Sequence, residues 1–239
     1  MNNITRQGDI YDEWTYSLPS LNAERLSDAL SEIEDKDNKR LLDVGCGDGV
    51  WHDIFSGMDY TGIDSNKIAV RNAVQKGLNV KQHDVMKKWP FKDKSFDIVF
   101  ASEILEHVFD TDFLLAECNR VLRKDGLFIL IIPNVCSFSS RVRCVMGRRP
   151  PTIEFRALKG NAGHIRAFSY YDLKQILSDH KLFIEKCIGS GFHLPYLFST
   201  PDPKTVGIVP KFLSKAFPKF AEEFIIFAHK SKGEPRRPI

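Results

Sequence analysis

The sequence predicts an α/β protein built on a doubly wound, mostly parallel sheet, and three observations carry that expectation. From about residue 38 onward, short aliphatic and aromatic runs alternate with amphipathic stretches, the pattern of successive βαβ units. An apolar run, Leu41-Leu42-Asp43-Val44, leads straight into Gly45-Cys46-Gly47-Asp48-Gly49. Such sheets bind nucleotides at a glycine-rich bend on the carboxyl end of the first strand. Acids then close the next two strands as well, at Asp64 and Asp84.

Residues 1–37 read as an arm and a helix. Tyr11, Trp14 and Tyr16 precede Pro19, aromatics for packing on the core or closing over a ligand. Asn22 to Glu34 is expected to be helical, because Leu26, Leu30 and Ile33 share one face. After the first strand, Trp51 to Phe55 is expected to begin a helix whose N-terminal amides face the ligand. The second strand is Tyr60-Thr61-Gly62-Ile63, ending at Asp64. A helix follows from Lys67 to Lys76, with Gly77 as its stop. Leu78 to Gln82 is the third strand and Phe96 to Ala101 the fourth. Thr111 to Leu122 is helical, Arg123 to Gly126 turns, and Leu127 to Ile132 is the fifth strand.

Beyond Pro133 the alternation stops. Residues 134–166 carry Arg141, Arg143, Arg148 and Arg149 before Pro150-Pro151 and read as an insertion above the strand ends. Ser169 is an N-cap, with Asp172 at the third helical position, for a helix to about His180. Leu182 to Ile188 and Phe224 to His229 are two more strands. The aromatic and proline-rich excursion between them, 192–221, holds one helix around Lys211 to Phe217. The tail, 231–239, is charged and loose.

At 239 residues, 43% hydrophobic and 27% charged, the composition is that of an ordinary soluble protein with one large core, and residues 1–239 read as a single domain. A net charge of +3 is too small to indicate a nucleic-acid partner. The longest aliphatic run, Leu127 to Ile132, is far shorter than the roughly 20 residues that span a bilayer. Met1 to Asp9 lacks the basic-then-apolar layout of a signal peptide. Five scattered cysteines suit reduced thiols and a cytoplasmic location. No Cys/His cluster has zinc spacing, so no metal site is expected.

The bend carries the chemistry. Glycines at every second position let a ligand approach the backbone and permit positive φ. The pattern Asp43-x-Gly45-x-Gly47-x-Gly49 differs from the G-x-G-x-x-G of a pyrophosphate site. A carboxylate at Asp43 repels a pyrophosphate and suits a cationic or amine-bearing ligand. Asp64, closing the second strand, can accept from both hydroxyls of a ribose. Asp84 can take an exocyclic adenine amine, with the Val85 amide offering a donor to the ring.

Together, Leu41 to Gly49, Gly62-Ile63-Asp64, His83-Asp84-Val85, Trp89-Pro90-Phe91 and Ser95 to Val99 resemble the class I S-adenosylmethionine-dependent methyltransferases. The likeness is to their small-molecule branch, methyltransferase type 11. It continues through Glu103-Ile104-Leu105-Glu106-His107-Val108, Leu122 to Leu127 and Gly163 to Ser169. This resemblance implies a Rossmann-like sheet of seven strands with the last antiparallel, and a cofactor-binding core at 38–133. It implies that Asp43 and the turn of Gly45, Cys46, Gly47 and Gly49 hold the methionine part of S-adenosyl-L-methionine. Asp64 would take the ribose, Asp84 and Val85 the adenine. Ser102 and Glu103 would line the wall beside the sulfonium.

A sulfonium is already a strong methyl donor, so alignment supplies most of the rate. An oxygen nucleophile also benefits from a base, for which His107 and His164 are the candidates; each is equally readable as structural. Arg141 and Arg166 can grip an anionic acceptor or lie on solvated surface. The expected activity is methyl transfer to a small molecule, an oxygen of a sugar or lipid-linked glycan foremost, with peripheral membrane contact through 192–198 as a variant. The rivals are an RNA or protein methyltransferase, a non-catalytic domain that binds the cofactor, and a nicotinamide-dependent oxidoreductase.

Overall fold

The computed structural model describes residues 20–31, 33, 36–153, 163–192 and 208–230. Seven strands run in chain order: β1 Arg40–Val44, β2 Asp59–Asp64, β3 Val80–Gln82, β4 Phe96–Ser102, β5 Leu122–Pro133, β6 Leu182–Ser190 and β7 Glu223–Lys230. They form one sheet in the order β3-β2-β1-β4-β5-β7-β6. Neighbours from β3 to β5 pair in parallel. Only β7 runs the other way, inserted antiparallel between β5 and β6. The strand order reverses between β1 and β4, and a crevice at the strand ends there is where open α/β sheets place ligands.

Among the described residues, six α-helices accompany the strands: α1 Ser20–Leu30, α2 Lys67–Gln75, α3 Thr111–Val121, α4 Phe138–Val145, α5 Tyr170–Asp179 and α6 Ile208–Ala216. Strand alternation divides the core into two layers. On one face Leu42, Val44, Val99, Ala101, Phe128, Leu130 and Ile132 meet Leu114, Leu115, Leu173 and Leu177 of α3 and α5. On the other, Leu41, Ile98, Phe100, Ile129 and Ile131 meet Leu26 and Leu30 of α1, Val70 and Ala73 of α2, and Trp51 and Phe55. β5 is therefore apolar on both sides, as a central strand must be.

Side-chain caps set the helix starts. Asn66 accepts from the amides of Ile68 and Ala69, and Asp110 from Phe113. Ser169 and Asp172 form a reciprocal capping box at α5, which satisfies two amides the helix cannot pair itself.

Three elements differ from the sequence reading. The segment after the glycine bend is a four-residue 3-10 turn, His52–Phe55, not an α-helix. Trp51 and Phe55 both pack edge-on against Phe100, at ring separations of 5.4 and 4.9 Å, and the chain must return to β2 by Asp59. The stretch 134–166 contains a helix, α4, begun by Ser137, whose hydroxyl accepts the Ser140 amide. Finally, β5 starts at Leu122: the expected turn is a bulge inside the strand, between the pairs Phe96–Leu122 and Ile98–Leu127. Asp125 takes φ of 61° there, and a Cβ on Gly126 would fall 2.9 Å from the Arg123 carbonyl oxygen. The expected arm, residues 1–19, and the expected tail, 231–239, lie outside the described residues, as do 154–162 and 193–207.

Candidate functional site

The bend after β1 is a backbone cradle held by β2. The amides of Gly45 and Cys46 both donate to the Ile63 carbonyl, at 2.9 and 3.2 Å. Gly45, Gly47 and Gly49 all have positive φ, 73°, 55° and 81°, which explains their every-second spacing: side chains would strain each position. Space is limiting as well. A Cβ on Gly49 would lie 2.2 Å from Leu78 Cδ1, and one on Gly45 3.0 Å from Ile104 Cδ1.

Asp64, 8% exposed, stitches the bend to the end of β2. One carboxylate oxygen accepts the Gly47 amide at 2.8 Å, the other the Asn66 amide at 2.7 Å. A carboxylate offers about four lone-pair sites, so these two bonds leave acceptor capacity for hydroxyl donors. Burial raises its pKa, against the pull of the amides of Asn66, Gly47 and Ser65.

Asp43 is 1% exposed within the apolar layer and accepts from the Tyr60 hydroxyl at 2.7 Å. Burial, opposed by the Tyr60 bond and reinforced by Asp64, pushes its pKa up to about 7. The Cys46 side chain lies against β2: its Sγ is 2.7 Å from where a Cβ on Gly62 would sit, and the thiol donates to the Gly47 carbonyl at 3.6 Å. A ligand would meet Cys46 through backbone only.

Asp84 lies one strand further on. Its carboxylate takes the Met86 amide at 3.0 Å and stands 3.5 Å from the Lys87 ammonium. Val85 is buried, and its carbonyl receives the Trp89 indole N–H at 3.0 Å.

Across the switch point, Ser102 ends β4 and Glu103 follows with φ of 52°, its amide on the Ile131 carbonyl at 3.0 Å. Behind Ile104, which rests on Gly45, the loop brings Glu106 and His107 inward. The amides of Ile165 and Arg166 both donate to the Glu106 carbonyl, at 3.0 and 3.2 Å. That double bond delivers His164 to the same place.

His107 Nε2 lies 3.8 Å and His164 Nε2 4.0 Å from Glu106 Oε1, with the two rings 4.9 Å apart. Burial first, and then their mutual proximity, raises the pKa of Glu103; burial also raises that of Glu106.

Both candidate arginines are held by backbone. Arg141 donates Nε to the Cys136 carbonyl at 2.7 Å and lies over the Phe220 ring, 4.6 Å from its centroid. Arg166 donates to the carbonyls of Val108 and Phe109.

Sequence reasoning assigned no role to Tyr60, Asn66 or Glu106. For Glu106 a signal existed, since a lone acid between Leu105 and His107-Val108 interrupts an apolar run. Nothing marked Tyr60 as the partner of Asp43.

An order of 3-2-1-4-5-7-6, a glycine bend at positive φ and acids closing adjacent strands define a class: the Rossmann-like methyltransferases that use S-adenosylmethionine. Residues 42–130 match the model of the methyltransferase domain family, and the chain carries a class I S-adenosylmethionine-dependent methyltransferase domain of type 11, with S-adenosyl-L-methionine as its cofactor.

Similar proteins include a probable S-adenosylmethionine-dependent methyltransferase of Mycolicibacterium smegmatis, 28% identical over 156 residues, 62% of this chain and 54% of that one. A ubiquinone biosynthesis O-methyltransferase of Sinorhizobium fredii is 35% identical over 102 residues, 40% of this chain and 41% of that one. The chain thus spans about half the length of these two relatives or less. Among solved structures, a Thermotoga maritima methyltransferase, described as a possible histamine N-methyltransferase, shares the fold with a TM-score of 0.62 and 18% identity. That match covers 89% of this chain and 91% of that one. Among the described residues, no helix is long and apolar enough to cross a membrane.

Proposed function

We propose that the protein transfers the cofactor's methyl group to an oxygen of a small acceptor, with a sugar or lipid-linked glycan as the leading class. One observation supports oxygen over nitrogen or carbon: a carboxylate and two imidazoles, Glu106, His107 and His164, come together in the loop that follows β4. A hydroxyl needs its proton removed as the methyl arrives, and this cluster offers groups that can take it. The O-methyltransferase from Sinorhizobium fredii is in keeping with that choice.

In this reading Asp43, Gly45, Cys46, Gly47 and Gly49 hold the methionine part, the last four through backbone. Asp64 takes the ribose, Asp84 and Val85 the adenine, and Ser102 and Glu103 the side toward the sulfonium. Arg141 and Arg166, pre-placed by carbonyls, are the contacts for an anionic acceptor. His164 and His107 work at the acceptor hydroxyl, in concert with Glu106.

The test is single-turnover methyl transfer from labelled S-adenosylmethionine to a panel of hydroxyl, amine and carbon acceptors. His164→Ala should lower turnover by at least about tenfold while affinity for S-adenosylhomocysteine stays within about twofold. Unchanged turnover, or transfer confined to amines, would overturn the assignment.

A further inference from the structure

We infer that Glu106, His107 and His164 form a binding site for a divalent transition-metal ion. One donor atom from each of the three lies within 4.8 Å of the others. The decisive point is which way the imidazoles face. His107 Nδ1 stands 3.3 Å from the Gly163 carbonyl and His164 Nδ1 3.3 Å from the Thr152 carbonyl. A carbonyl only accepts, so each Nδ1 carries the proton. In the neutral ring, each Nε2 then turns its lone pair toward Glu106 Oε1. Metal-bound histidines are oriented in this way, with the second ring nitrogen donating to a backbone carbonyl.

Glu106 completes the set. Its side chain is 2% exposed, and neither carboxylate oxygen has a hydrogen-bond donor among the described residues. The neighbouring carboxyl of Glu103 can reach it only by sharing a proton. A carboxylate and two imidazoles this close together, largely shielded from water, are stabilised by a cation between them. The Glu106–His107 and Glu106–His164 separations of 3.8 and 4.0 Å exceed by about half an ångström the roughly 3.4 Å edge spanned by two donors at about 2.1 Å from a tetrahedral ion. Small rotations of the side chains close that difference.

Two imidazoles and one carboxylate select zinc, cobalt, iron or nickel over magnesium or calcium. The backbone builds the site, because the Ile165 and Arg166 amides clamp the His164 segment onto the Glu106 carbonyl. Three protein ligands leave a position for an oxygen. A hydroxyl bound there loses its proton near neutral pH, and that consequence alone rests on the O-methylation proposed above. Metal binding itself does not.

The full chain, stripped with chelator and desalted, is titrated with Co2+ while visible ligand-field bands and heat are recorded. One equivalent should bind. Glu106→Gln and His164→Ala should each weaken binding at least about a hundredfold, both retaining affinity for S-adenosylhomocysteine as evidence of folding. Asp64→Ala should leave Co2+ affinity unchanged. Absence of stoichiometric uptake, or uptake that survives both substitutions, would overturn the site. Failure of Co2+ to bind leaves methyl transfer to hydroxyls standing; intact Co2+ binding with transfer only to amines sinks that activity and spares the site.

Discussion

The two sides of the switch point treat their buried charges differently. On the β1–β2 side, Asp43 and Asp64 are both deeply buried, and each carboxylate has a partner built into the fold: a tyrosine hydroxyl for one, two backbone amides for the other. On the side where β4 opens into the loop, Glu106 is equally buried, yet neither of its side-chain oxygens has a donor among the described residues. A satisfied carboxylate is a structural member that can also meet a ligand. Among the described residues, Glu106 has at most a proton shared with the neighbouring carboxyl of Glu103, which leaves acceptor capacity for a cation or a substrate. The first side is preformed; the metal site proposed above would have the second completed on binding.

The sharpest way to break this comparison is to attack the preformed side where it has no slack. Gly49 and Gly77 have nearly the same φ, 81° and 83°, but a Cβ at Gly49 meets Leu78 at 2.2 Å while one at Gly77 meets nothing within 4 Å. Gly49→Ala should therefore cost about 2–4 kcal/mol, and Gly77→Ala about 1 kcal/mol, in urea unfolding. Equal costs would mean that the bend yields easily and is not preformed.

The next effect is smaller and depends on pH. Asp43 has an ordinary carboxylate pKa when unfolded and about 7 when folded. Between roughly pH 4 and 7 the native state therefore keeps a proton that the unfolded chain has released. Its contribution to stability is fully present below about pH 4 and is lost as pH rises through 7. The raised carboxyls of Asp64, Glu103 and Glu106 act with the same sign. Asp43→Asn removes one share only, so its stability should fall less than that of the parent between pH 5 and 8, by about 2–3 kcal/mol. Parallel curves for the two proteins would show that Asp43 keeps its charge and is solvated in some other way.

The same contrast explains what the sequence could reveal. The cradle is legible because everything that makes it is local: Asp43 to Asp64 is one strand–turn–strand passage. The glycines are forced by positive φ, and the two acids end their strands. The sheet follows from apolar runs whose lengths match strands, and the Ser169–Asp172 pair announces α5. Three serines around Phe138 hid the start of α4, because serine also favours turns. The segment expected to be a helix after Gly49 packs instead on Phe100, three strands further along the chain, which no local pattern encodes. The Glu106–His107–His164 cluster is less legible still, since His164 lies far along the chain from the other two. Two amide bonds to one carbonyl bring it there, and backbone pairing of that kind leaves no mark on residue type.

The central claim is that Asp64 and the glycine bend receive the cofactor, Asp64 at its ribose and the bend at its methionine part. Calorimetry with S-adenosylhomocysteine tests it most directly. The account predicts micromolar affinity, no comparable affinity for NAD, and a loss of at least about tenfold in Asp64→Ala, as expected for removing a charged hydrogen-bond partner. Preference for NAD, or an affinity that Asp64→Ala leaves untouched, would contradict it.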